Sequence, residues 1–176
     1  MPACVRQDLR RSLRSLERSA RRMRREALAL VRQDAELARR LALLETVPGI
    51  GETSALYLAA ELTLLPAGLG VRQWVAHSGL DPCHHQSGSS VRSPSRISRR
   101  GNRYLRQALY MPALVAVRHD PHLRGFYQAL LQRHKKKLQA LVAVARKILH
   151  AIYGMFRHDC AYDGSRLFPC LALAAA

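Results

Sequence analysis

Pro48, Gly49, Ile50 and Gly51 are the most compact chemical signal in the chain. Two glycines permit backbone conformations that a side chain resists, Pro48 sets the turn, and the amides that open the following helix stand at its positive end. A helix-hairpin-helix of this kind can cradle phosphate, with Gly49, Ile50 and Gly51 supplying the backbone. The same residues also suit a plain tight corner between two helices. A second signal is cationic. Between Pro82 and Gly101, Arg92, Arg96, Arg99 and Arg100 alternate with serines at 87, 89, 90, 93, 95 and 98, a composition that reads as a flexible basic linker. Arg99, Arg103 and Arg106 fall on one stripe at helical spacing. Cys83, His84 and His85, with His77 nearby, are of metal-ligand type. Adjacent ligands point apart on most backbones, however, and no second pair follows, so they read as loop residues and no metal site is expected. Cys4, Cys83, Cys160 and Cys170 include no CxxC pair and fit reduced thiols.

The composition says what these groups meet. In 176 residues, 29 Lys and Arg stand against 12 Asp and Glu, for a net charge of +17. Residues 71–137 hold 13 of those cations against Asp81 and Asp120 alone. Such a field holds a polyanion and weakens with salt, so DNA is the expected partner. No apolar run reaches the roughly eighteen residues a bilayer span needs, and the Arg-rich start lacks a secretory core. The expected location is cytoplasmic, on the nucleoid when bound, with no membrane partner.

Hydrophobic residues make up 48% of the chain and aromatics 6%, so the core must rest on Leu, Ala, Val and Ile, a helical palette. The fold is expected to be all-α. Residues 1–45 read as one long helix from Cys4 to Glu45, with apolar residues at 13, 16, 20, 23, 27, 30, 37, 41 and 44 and Asp34 at the one missing step. Intervals alternating three and four mark a coiled coil, and hence a homo-oligomer. Its many arginines read either as a solvated face or as a surface along which DNA lies. Residues 46–157 read as a compact helical domain with the hairpin at its start and a short helix over Val71–His77. Next comes a helix over Asn102–Arg118, with Leu105, Ala108 and Leu109 inward and Pro112 a kink or break. Another helix follows from Pro121 to about His134. A final run of Leu138, Leu141, Ala145, Ile148, Leu149, Ile152, Met155 and Phe156 reads as core. Residues 158–176 lack a helical period and read as disordered.

In order, Val47-Pro48-Gly49-Ile50-Gly51, Ser78-Gly79-Leu80-Asp81-Pro82, Gln86-Ser87-Gly88 and Arg96-Ile97-Ser98-Arg99-Arg100-Gly101-Asn102-Arg103-Tyr104-Leu105-Arg106 resemble one family. It is the bacterial insertion-sequence transposase family numbered one-hundred-ten, one-sixteen and nine-oh-two, in its C-terminal domain. The likeness runs from about Leu43 to Phe156. It implies DNA transposition or recombination in which a serine attacks the scissile phosphate and forms a transient DNA-serine ester. By the family's motif the serine before glycine, Ser87, is the candidate nucleophile, with Ser89 and Ser90 as competitors. Arg92, Arg96, Arg99, Arg100, Arg103 and Arg106 would neutralise phosphate charge. His84 and His85 are the nearby bases. The resemblance further implies an oligomer directed by a structured guide RNA.

In full-length relatives a RuvC-like domain with four carboxylates binds divalent metal and precedes the coiled coil. Here the sequence opens in what resembles the coiled coil, so the expectation is a chain without that domain, without a cofactor of its own and incomplete as an enzyme. Two other functions fit the same residues: a non-catalytic nucleic-acid-binding module, and a truncated interaction partner of a full-length transposase.

Overall fold

The computed structural model describes residues 2–66, 68–83, 86–87, 91–92, 96–98 and 100–166, with the backbone alone at 86, 87, 91 and 92. The chain divides into two units, 1–39 and 40–176.

In the first unit, α1 (Ala3–Gln33) ends at Asp34, and α2 (Ala35–Glu45) begins beyond it. The continuous helix expected through Glu45 is therefore broken. Asp34 takes an extended conformation (φ −99°, ψ 116°) and its carboxylate accepts the Leu37 N–H at 3.0 Å. A short acidic side chain offers the backbone an alternative to the helical bond, and here it caps a new helix instead of occupying a seam position. Along α1, Arg6, Arg10, Arg14 and Arg18 follow one another every fourth residue and line one basic groove.

The second unit is built around α5 (Arg103–His119), which packs on α3 (Glu52–Thr63), α6 (Pro121–Gln132) and α7 (Lys137–His158). α4 (Val71–Ser78) lies against α7 and α5. Leu44, Leu58, Leu105, Leu109, Leu123, Ile148, Leu149 and Ile152 are fully buried between them. Leu105 and Leu109 face inward as their spacing predicts, while Ala108 is half-buried. Pro112 neither ends nor interrupts α5, and its ring is fully buried. Tertiary packing on three sides outweighs the missing N–H. Leu138, expected in the core, is 61% exposed. It stands at the second position of α7, ahead of Ala140 and Leu141, where burial begins. Trp74 of α4 meets the rings of Tyr153 and Phe156 of α7 edge to face, at 5.2 and 6.2 Å between centroids.

The segment after α7, read from sequence as structureless, is tied down as far as Arg166. Tyr162 donates its N–H to Thr46 Oγ1 and its hydroxyl to Asp120 Oδ2, both at 3.0 Å. Asp120 is itself buried and caps α6 by accepting the Leu123 N–H at 2.7 Å. Burial and then the Asp120 carboxylate push the Tyr162 phenol far above its ordinary value. A single 3-10 turn at Gly164–Arg166 follows. Residues 167–176 lie outside the described residues.

Candidate nucleic-acid interface

Between α4 and α5, where composition reads as a linker, the described residues form two short antiparallel pairs. β1 (Pro82–Cys83) pairs with β4 (Arg96–Ile97), Pro82 opposite Ile97 and Cys83 opposite Arg96. β2 (Gln86–Ser87) pairs with β3 (Val91–Arg92), Gln86 opposite Arg92 and Ser87 opposite Val91. The registers of the two pairs differ by one residue. This arm carries the candidate serine.

A set of hydrogen bonds at its base explains why so polar a segment pairs at all. The Asp81 carbonyl accepts the Ser98 N–H at 3.0 Å, and Asp81 Oδ1 accepts the Ser98 hydroxyl at 2.5 Å. Gly79 ends α4 in the left-handed conformation (φ 64°). The Asn102 N–H donates to the His77 carbonyl at 2.6 Å, and Arg106 Nη1 donates to the carbonyls of Ser78 (2.9 Å) and Gly101 (3.1 Å). Asn102 Oδ1 accepts the N–H groups of Tyr104 (2.8 Å) and Leu105 (3.2 Å), capping α5, while its Nδ2 donates to Glu61 of α3. A Cβ on Gly101 would fall onto the His77 carbonyl. Gly101, Asn102 and Arg106 thus form a clasp that holds α3, α4 and α5 together where the arm leaves the body. Arg106, expected on phosphate, is instead committed to the Ser78 and Gly101 carbonyls, and Asn102 is the cap that an Asn just ahead of a helical run signals.

The other candidate residues distribute as follows. Arg96 in β4, Arg100 ahead of α5 and Arg103 at the start of α5 are exposed. The Arg103 guanidinium lies 5.1 Å from the Tyr104 ring centre. The backbones of Ser87 and Arg92 lie in the outer strand pair. Arg99, His84 and His85 lie outside the described residues. In the hairpin, Gly49 has φ +90° and rests on α5: a Cβ there would come within 2.6 Å of the Pro112 carbonyl oxygen and 2.9 Å of Val115 Cβ. The Ile50 side chain is buried and its N–H donates to the Val47 carbonyl at 3.0 Å. Gly51 alone of the three is exposed, standing ahead of α3 with no side-chain cap. Glu52 follows in the first turn, where its charge competes with any anion for the helix's positive end. Tyr57, Tyr104 and Tyr110 are also exposed. Such rings can stack on bases, and two of them lie among the arginines of α5. Among the described residues, no three His, Cys, Asp or Glu come together to hold a metal, and no helix is long and apolar enough to cross a membrane.

A sequence model described as the transposase IS116/IS110/IS902 family matches residues 41–128, half of the chain. That span runs from α2 through the hairpin, the arm and α5 into α6. The chain belongs to this transposase family. Among its relatives is a pilin gene-inverting protein of Moraxella bovis, 34% identical over 129 residues, covering 73% of this chain and 40% of that protein. A probable family 20 transposase of Pseudomonas aeruginosa is 34% identical over 161 residues, 89% of this chain and 46% of that one. An insertion element IS900 protein of Mycobacterium paratuberculosis is 30% identical over 142 residues, 78% of this chain and 33% of that one. The chain therefore spans less than half the length of the curated relatives it matches.

Proposed function

We propose that this transposase-family chain binds DNA through its arm and α5, and that Ser87 is the nucleophile of strand transfer. The clasp carries the reading: the residues that resemble the family most closely form one device, at the root of the strands that hold Ser87, Arg92 and Arg96. In the proposed step, Ser87 Oγ bonds to the scissile phosphorus as the bond to the leaving DNA oxygen breaks. The hydroxyl proton passes to a base and the leaving oxygen gains one. His84 and His85 are the candidate bases. A second strand's hydroxyl then attacks the phosphoserine and releases it. Arg92, Arg96, Arg99, Arg100 and Arg103 balance the phosphate charge, and Gly51 with the opening amides of α3 supplies a sequence-independent contact. A structured guide RNA would direct the target, and α1 would join copies of the chain through its apolar seam.

Positioning alone does not activate a serine. Residues 1–176 are expected to bind duplex DNA, and the covalent step is tested with a metal-binding RuvC-like domain and guide RNA added in trans. Replacing Arg96, Arg100 and Arg103 by Ala should lower the slope of log affinity against log salt by about 3. In the supplemented reaction, Ser87→Ala should abolish the covalent DNA adduct. An adduct that survives Ser87→Ala refutes the nucleophile, and a salt-independent affinity refutes DNA as the partner.

A further inference from the structure

Along the apolar seam of α1, Leu9, Leu13, Leu16, Met23 and Leu30 are 55, 57, 69, 59 and 66% exposed, while Ala27 is half-buried and Leu28, beside the seam, is buried. Building on the proposed self-association of α1, we infer that its partner is a second copy of α1 running antiparallel in one register. In that register Ala20 faces Met23 of the partner subunit, Ala27 faces Leu16 of the partner subunit, and Leu13 faces Leu30 of the partner subunit.

Two independent features select this arrangement. The first is volume. The seam alternates between two sets of sites, one holding Leu13, Ala20 and Ala27 and the other Leu9, Leu16, Met23 and Leu30. In a parallel coil in register each site meets its own copy, so Ala20 and Ala27 make two thin layers between thick ones. Run antiparallel, the first set meets the second, and every Ala is opposite a large side chain, which fills the seam evenly.

The second feature is charge. Arg10, Glu17 and Arg24 flank one edge of the seam, and Ser12, Ser19 and Glu26 flank the other. A parallel coil brings Ser12 to Glu17 and Ser19 to Arg24 across the interface, with no opposite pair. The antiparallel register proposed brings Glu17 to Arg24 of the partner subunit, and by symmetry does so twice. A slip of one heptad one way sets Glu17 on its own copy and Arg10 on Arg24 of the partner subunit. A slip the other way sets Arg24 and Glu26 each on their own copies. Both slips are penalised by like charges. Among the described residues of one chain, Glu17 pairs with Arg21 at 3.7 Å on the exposed surface, a contact too weak to compete. Arg11, Arg14, Arg18, Arg21 and Arg25 stay outward in the pair, so the dimer keeps a basic exterior. At 1.5 Å per residue, the two helix ends at Gln33 lie about 35 Å apart along the coil.

The test uses the full chain in three parts. Sedimentation should show a dimer at micromolar concentration. Glu17→Arg and Arg24→Glu should each raise the dimer dissociation constant about tenfold, since each turns two attractions into two repulsions, and the double variant should recover most of that loss. With the native cysteines replaced by serine, a chain carrying Leu13→Cys should form a disulfide with a chain carrying Leu30→Cys, and not with itself. A dimer in which Leu13→Cys cross-links to itself, or in which the double charge variant is as weak as the singles, overturns the antiparallel register and leaves self-association standing. A monomeric native chain overturns both.

Discussion

Substituting Gly101 by Ala isolates the clasp from everything else in the arm. The added Cβ would meet the His77 carbonyl and lie 2.6 Å from the Gly79 amide nitrogen. Both are backbone atoms, at the end of α4, so no side chain can swing aside. The two segments must part by about 1 Å or more, which is the range of misfit that breaks good hydrogen bonds. The bonds at stake are Asn102 to His77 at 2.6 Å and Arg106 to Ser78 at 2.9 Å. A neutral bond is worth about 1 kcal/mol and a charge-assisted one about 1.5–3 kcal/mol, so Gly101→Ala should cost about 2–4 kcal/mol. For a domain of this size that is a fall in Tm of roughly 8–16 °C. Gly125→Ala is the control. Gly125 sits inside α6, and nothing lies within 4 Å of the place its methyl group would take, so the change should be neutral or stabilise by up to about 1 kcal/mol. Melting followed by circular dichroism at neutral pH separates the two. A Gly101→Ala chain that melts within about 2 °C of the parent would mean that the clasp relaxes at little cost and does not hold the three helices together.

The hairpin glycines should part company: Gly49→Val should destabilise the fold because of its positive φ and the Pro112 carbonyl, whereas Gly51→Val, with open space around it, should fold normally and weaken binding to all duplexes alike in a filter or anisotropy assay. Equal binding by a folded Gly51→Val chain would remove the hairpin from the interface. Tyr162→Phe should cost about 1–2 kcal/mol, because buried Asp120 loses a donor. Because the phenol is held above its ordinary value in the folded state, its contribution is fully present below about pH 10 and is lost as pH rises beyond it. Urea unfolding of the parent should accordingly weaken more steeply above pH 10 than that of Tyr162→Phe, and parallel curves would contradict this.

The helical body was legible because its signals are local. The apolar spacing in α5 and α7 places Leu105, Leu109, Ile148, Leu149 and Ile152 inward, and Pro121 after Asp120 marks the start of α6. What escaped depends on partners far along the chain. Arg106 reads as a free cation until Ser78, 28 residues earlier, is seen beneath it. Tyr162 belongs to an aperiodic tail until Thr46, 116 residues away, and Asp120 hold it in place. Asp34 is a different case: the residue itself was seen, but a seam position and a helix cap use the same spacing, and only backbone angles distinguish them. Pro112 ran the other way, since a residue that ordinarily breaks helices is carried by the packing of its neighbours.

The clasp also decides where mechanical load goes. Both strands of the arm enter the body at adjacent points, Asp81 and Ser98, and the backbone behind them is bonded to three helices. Tension drawn along a bound nucleic acid would reach α3, α4 and α5 at once and be divided among them.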